Sequence, residues 1–192
     1  VDRIPEGYEG HSVTLNNMRA GAMAADHLLS LGHTSLAHIS GPLWLRVARE
    51  RLQGFEQVLE EHGLRPATSV AEGSWQCESG YRGMQKILAE NSQTTAVFAA
   101  NDRMAIGAIR AVEERGLRVP QDISIVGLDD IEVSAFQSPP LTTIQQSFKR
   151  MATLGIQMLL DMIGGSECAE TQIVLEPAIV VRESTARRGI AF

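Results

Sequence analysis

The sequence lacks most of the short patterns that announce reaction chemistry. It has no G-x-x-x-x-G-K-[ST] phosphate loop, no G-x-G-x-x-G opening a helix and no G-x-S-x-G nucleophile turn, so the usual signatures of phosphate handling and of acyl transfer are missing. Its five histidines, at 11, 27, 33, 38 and 62, show no H-x-x-x-H spacing and no cysteine partner. Neither a metal site nor a cofactor is therefore expected, and each histidine reads as a structural or surface residue. The two cysteines, Cys77 and Cys168, are far apart and make no disulfide or zinc framework, so two free thiols in a reducing cytoplasm are expected. Basic residues are outnumbered, 17 Lys and Arg against 23 Asp and Glu, and a net charge of -6 argues against this chain gripping a phosphate backbone by itself. No apolar run is long enough to cross a bilayer. Val1 opens no signal-peptide pattern, and a chain that begins without Met is expected to be a piece of a longer one. Together these absences predict that the chain is not an enzyme.

What remains is an ordinary soluble balance, 44% hydrophobic and 21% charged over 192 residues. That is enough for one domain with a core, or for parts of two lobes. The stretch 95–130 is the most informative. An apolar run at 96–100 ends at Asn101-Asp102. Residues 103–115 place Met104, Ile106, Ile109 and Val112 at helical spacing, with charge on the other side. Gly116 stops that helix, and a second apolar run at 123–128 ends at Asp129-Asp130. This is a βαβ unit with a polar group after each strand. Met104, Ile106, Ile109 and Val112 read equally as core or as a face that meets a second subunit.

The same alternation predicts strands at 12–15, 36–40 and 69–71 and helices at about 16–31, 48–62 and 78–90. Asn16 or Asn17 caps the first helix. Beyond a Pro-Pro loop lie a strand at 142–144, a helix at 148–163 and two strands at 171–175 and 178–182. The polar tail 183–192 is expected to fray. Strand and helix in strict turn mean a doubly wound parallel α/β sheet. Ligands of such sheets sit beyond the carboxyl ends of the strands.

Asp2, Trp75, Asn101 and Asp129 all follow predicted strands, and Arg46, Arg49 and Arg51 come soon after one. A sugar or nucleobase site needs carboxylate, amide and guanidinium groups, and one aromatic face. Trp75, Arg51, Asn101 and Asp129 would supply them. Each also has a plainer role: Asn101 or Asp102 as a helix cap, Trp75 as a core aromatic, Arg51 as an exposed ion-pair partner. Their joint placement on one edge is what favours a site.

Residues 27–42, 51–64, 78–88, 95–130 and 139–146 (among them "HLLSLGHTSLAHISGP", "RLQGFEQVLEEHGL" and "PPLTTIQQ") resemble the LacI/GalR family of bacterial transcription regulators, in blocks whose order and spacing run over nearly the whole chain. The resemblance implies a periplasmic-binding-protein-like fold, with one complete lobe and part of a second. Residues 1–15 would be a remnant of the first lobe, 16–141 the second lobe, 142–165 a return to the first, and 166–192 the crossing strands and tail. The DNA-reading helix-turn-helix would lie upstream and is absent from this chain. Ligand positions carried over by resemblance are Asp2, Arg51, Trp75, Asn101, Asp129 and Gln146. Ile106, Ser134, Phe136 and Gln137 match the family's dimer contact. Leu128, Leu45 and Val47 depart from the pattern toward apolar groups, which makes the pocket mouth less polar. The implied function is effector sensing in a cytoplasmic homodimer that binds a sugar-like molecule and reaches operator DNA only through the missing domain. The alternative is a periplasmic sugar-binding protein of a transporter.

Overall fold

The computed structural model describes residues 2, 4–5, 7–64, 69–165 and 171–189. Cys168 falls outside them. The elements run β1 (Ser12–Leu15), α1 (Asn17–Ser30), β2 (Leu36–Ser40), α2 (Arg46–Glu61), β3 (Val70–Glu72), α3 (Cys77–Glu90), β4 (Ala96–Ala99), α4 (Asp102–Glu114), β5 (Ser124–Asp129), β6 (Thr142–Gln145), α5 (Phe148–Ile163), β7 (Gln172–Leu175) and β8 (Ala178–Val180). Six strands form one sheet in the order β3-β2-β4-β5-β6-β8, and β1 pairs with β7 in a separate two-stranded sheet. All the pairings are parallel except that of β8, which lies antiparallel along β6. The expected doubly wound sheet is thus present, closed on one side by an antiparallel edge strand.

Period-two alternation divides the larger core into two layers. Ala37, Ile39, Val97, Ala99 and Ile125 face α3 and α4, where Met84, Ile87, Met104 and Ile109 meet them. Leu36, Ala96, Phe98, Val126 and Leu128 face α1 and α2, against Ala24, Leu28, Phe55 and Leu59. Of the stripe that could have been core or subunit surface, Met104, Ile109 and Val112 are buried here. Leu128 is fully buried in the α1–α2 layer, so its departure from the family pattern changes the core and not the pocket mouth.

The helices of each layer pack closely because glycines stand at their crossings. A Cβ on Gly21 of α1 would collide with the Arg51 carbonyl of α2, and one on Gly54 of α2 with the Met18 carbonyl of α1. This near approach sets Arg51 over the end of the sheet.

Two expectations need correction. The boundary drawn at 142 moves, because Thr142–Gln145 pairs with β5 in the six-stranded sheet; only α5, beyond Gln146 and Ser147, packs on β1 and β7, through Val13, Met151, Met158 and Leu175. The tail does not fray over 183–189. Ser184 is fully buried; its backbone accepts from Ile125 N–H at 2.8 Å and its Oγ donates to the Ile125 carbonyl at 2.6 Å. Arg188 N–H reaches the Leu31 carbonyl at 2.9 Å. A polar segment is ordered here because it completes backbone hydrogen bonds at the sheet margin, which an apolar count does not register. No helix of the described residues is long and apolar enough to cross a membrane.

Candidate functional site

The segments after β3, β4 and β6, the end of β5, the starts of α2 and α5 and the chain around Asp2 surround a cavity of about 190 Å³ lined by Asp2, Val47, Arg51, Trp75, Asn101, Asp129, Gln146 and Phe148. All six residues singled out as ligand positions meet there. Val47, named only as an apolar departure, forms part of the wall. Phe148 was missed; the first residue of a helix that follows a strand end was the available cue.

Arg51 is buried and its guanidinium is fixed on three sides. Nε donates to Asn17 Oδ1 at 2.8 Å, Nη1 to the Ala100 carbonyl at 2.7 Å and Nη2 to Gln146 Oε1 at 3.3 Å. The exposed ion-pair role is therefore ruled out. Asn16 is the helix cap, accepting from Arg19 N–H at 3.0 Å, and Asn17 is left to hold the arginine. The guanidinium also lies over the Trp75 ring, 5.6 Å from its centroid. The far edge of the indole rests on Gly41, where a Cβ would occupy the ring's place. Part of the aromatic face expected for a guest is thus used by the protein.

Gln146 bridges the cavity. It accepts from Arg51 and donates from Nε2 to Asp2 Oδ1 at 3.0 Å. Asn101 proves to be both cap and wall. Its Oδ1 accepts from Met104 N–H at 2.9 Å and its Nδ2 donates to the Trp75 carbonyl at 3.1 Å, so its amide shapes the Trp75 turn more than it faces a guest.

Asp2, Trp75 and Asp129 share an unusual backbone. Their φ values are 69°, 69° and 126°, and Asp130 follows at 57°. Non-glycine residues seldom adopt this region, at a cost of ~1–3 kcal/mol each, and such strain concentrates at ligand sites. Among the described residues, no other non-glycine residue has a positive φ.

The Asp129 carboxyl accepts no hydrogen bond among the described residues. Burial pushes its pKa up to about 7; Arg51 opposes that shift, while Asp102 and Asp2 add to it. Near neutral pH this group can therefore either donate or accept a hydrogen bond. Beside it, Asp102 is fully buried. It accepts from Ile131 N–H at 2.9 Å, Ser134 Oγ at 2.7 Å and Thr143 Oγ1. Burial raises its pKa and those hydrogen bonds restrain the rise. It pins the β5–β6 loop, a role sequence reasoning reduced to a possible cap.

The four expected dimer positions separate. Ser134 has no exposed surface and is spent on Asp102, so it is removed from the set. Ile106 and Gln137 line a surface groove with Cys77, Tyr81 and Arg110, and Phe136 is 81% exposed. Among the described residues, no group of three or more His, Cys, Asp or Glu side chains is placed to hold a metal ion.

Comparison with known proteins bears on the whole arrangement. A model of the periplasmic binding protein-like domain matches residues 25–185. A dimeric Lac repressor with a C-terminal deletion superposes with a TM-score of 0.90 at 34% identity, over 96% of this chain and 68% of that one. The chain belongs to the LacI/GalR family. Other LacI/GalR relatives agree. The repressor PurR of Pasteurella multocida is 41% identical over 189 residues, 98% of this chain and 57% of its own length. A cellobiose complex of the transcriptional regulator CelR has a TM-score of 0.90 at 35% identity, covering 95% of this chain and 57% of that one. The chain spans about half the length of the curated relatives it matches. These LacI/GalR relatives are transcription regulators, neither enzymes nor transport proteins, so the transporter alternative loses its support.

Proposed function

We propose that this chain is the effector-sensing core of a bacterial transcription regulator. It takes a small polar ring compound, a sugar or a related metabolite, into the cavity between its two sheets. The observation that carries this reading is the convergence of a buried guanidinium, an indole and an unengaged carboxyl on one cavity at the sheet's carboxyl edge. Arg51 offers planar donors, Asp129 a group that accepts or donates, and Val47 and Phe148 apolar contact for a ring. The cellobiose bound by CelR supports a sugar-like guest.

Binding shifts a conformational equilibrium only through different affinities for its two states. Gln146 is well placed to couple the two, since it joins Arg51 of the larger unit to Asp2, whose N–H is bonded to the Val13 carbonyl of the two-stranded sheet at 3.0 Å. The homodimer would use the surface around Ile106, Phe136 and Gln137. Operator DNA would be reached by a domain outside this chain, in the cytoplasm.

A thermal-shift screen of the full-length protein against sugars, sugar phosphates and nucleobases tests the assignment, because a bound effector raises apparent stability. Arg51→Ala and Asp129→Ala are expected to abolish the shift given by every hit. An undiminished shift in both variants would remove the site.

A further inference from the structure

Arg182 does not line the cavity, but one residue ties it to the cavity's carboxyl. Asp129 and Asp130 are consecutive non-glycine residues with φ of 126° and 57°. A turn of this kind persists only where its surroundings over-determine it. Asp130 supplies the anchor. Its Oδ1 accepts from Arg182 Nη2 at 2.6 Å, and its Oδ2 accepts from Gln145 Nε2 at 2.8 Å. The ion pair is well shielded, with 19% and 15% of the two side chains exposed, unlike the helix-surface pairs elsewhere in the chain.

Arg182 is itself held. Nη1 donates to the Leu141 carbonyl at 2.9 Å, and its backbone N–H donates to Thr142 Oγ1 at 2.9 Å. One residue further on, Asp102 clamps Ile131 N–H from the opposite side. The glutamines share the labour: Gln145 faces Asp130, while Gln146 faces Arg51 and Asp2. The Arg182 guanidinium is thereby spent on Asp130, and the Asp129 carboxyl accepts no hydrogen bond among the described residues.

We propose that Arg182 is a positioning residue for the site: by gripping Asp130 it holds the left-handed Asp129-Asp130 turn and aims the Asp129 carboxyl into the cavity. It acts from the segment after β8, the strand that joins the larger sheet directly after β7 of the smaller one. The site acid is therefore fixed by the crossing chain as well as by its own strand. This inference rests on the cavity being the ligand site, and its test is separate from that reading.

The test is a titration of the full-length protein labelled with [13Cγ]aspartate, with the Asp129 resonance assigned by its loss in Asp129→Asn. Enclosure places the expected parent midpoint near 7. In Arg182→Gln and in Asp130→Asn it is expected to fall by roughly one unit or more toward the ordinary carboxylate value of about 3.9. Arg182→Lys keeps the charge without the fork and should restore part of the shift. Losing the Arg182 charge would by itself raise a carboxyl's midpoint, so a fall in Arg182→Gln can only mean lost enclosure, whereas Asp130→Asn also removes a neighbouring negative charge and serves as a supporting measurement. A midpoint unchanged or raised in Arg182→Gln overturns the proposal, and if that variant does not fold, Arg182→Met, which also removes charge and fork together, is read by the same sign. If Asp129→Asn loses ligand response while Arg182→Gln leaves the titration in place, positioning fails and the sensor stands. If the titration moves but Asp129→Asn keeps every response, the ligand role of Asp129 fails instead.

Discussion

The six-stranded unit and the small β1–β7 unit are built on opposite terms. In the first, helices cover both faces and the central strands β4 and β5 are buried almost throughout. In the second, α5 covers one side and buries only Met151 and Met158. Its other side carries Ile156, Leu159, Leu160 and Ile163, exposed by 59, 55, 56 and 75%. Those positions are spaced i, i+3, i+4 and i+7, a second apolar stripe on one helix. The cavity lies where the two units meet, so a well-packed wall faces a thinly packed one. Differences in local stability of this kind are what a binding-linked motion draws on.

The largest expected effect tests that contrast directly. Phe98 is fully buried between His38 and Phe55, with ring centroids at 4.8 and 5.5 Å. Phe98→Ala should cost about 3–5 kcal/mol, and Val13→Ala in the small unit about 1–2 kcal/mol. Hydrogen exchange on the parent should show β4 and β5 amides opening only with global unfolding, and β1 and β7 amides through a cheaper local route. Equal protection in both units would abolish the contrast.

A second effect is confined to the larger unit. His38 is fully buried; its Nδ1–H donates to the Phe98 carbonyl at 2.9 Å, and its Nε2 has no partner among the described residues. Burial drives its pKa down to about 3, the hydrogen bond to Phe98 restrains the fall and the Arg51 charge adds to it. The folded value lies below the unfolded one, so the unfolded chain binds more protons as pH falls. Stability is then complete above about 6.5 and is lost below it by ~1.4 kcal/mol per pH unit, until the folded pKa is reached. His27 and His33, also lowered by burial, act in the same direction, and Asp129, raised by burial to about 7, opposes them over the same range. Urea titrations from pH 7 to 5 on the parent and on His38→Phe, which completes an aromatic stack, isolate the His38 share: the stability difference between the two should shift against the parent by ~1.4 kcal/mol per pH unit below about 6.5. A slope untouched by His38→Phe would assign the acid sensitivity elsewhere.

The same contrast accounts for what could be read from the residues alone. Strands and helices of the larger unit were legible because each buries one face with a regular period. The convergence of Asp2, Arg51, Trp75, Asn101 and Asp129 on one cavity was legible because strand ends share an edge, while Gln146 came only from the family resemblance. Individual roles were not, since Asn101 is both cap and wall, and Asp102 takes its partner Thr143 from 41 positions away. Arg182 reaches Asp130 across 52 positions, and no local pattern announces such a pair. The tail misled because its order comes from backbone pairing under a polar composition.

The smallest expected effect falls on the second stripe of α5. Were Leu159 packed, replacing it by Gln would forfeit apolar burial and strand a polar group, several kcal/mol in all. At 55% exposure it has little burial to lose in this chain. Leu159→Gln should therefore change the unfolding free energy of the isolated chain by less than about 0.5 kcal/mol, while reducing its binding of a hydrophobic dye. In the full-length protein the same substitution measures whether the stripe is covered there. A loss of roughly 2 kcal/mol or more in that context, with none in the isolated chain, would show that the thin wall of the cavity is completed from outside these 192 residues. A large loss in the isolated chain would mean that α5 is packed on both sides already, and the two units would differ less than their exposed surfaces indicate.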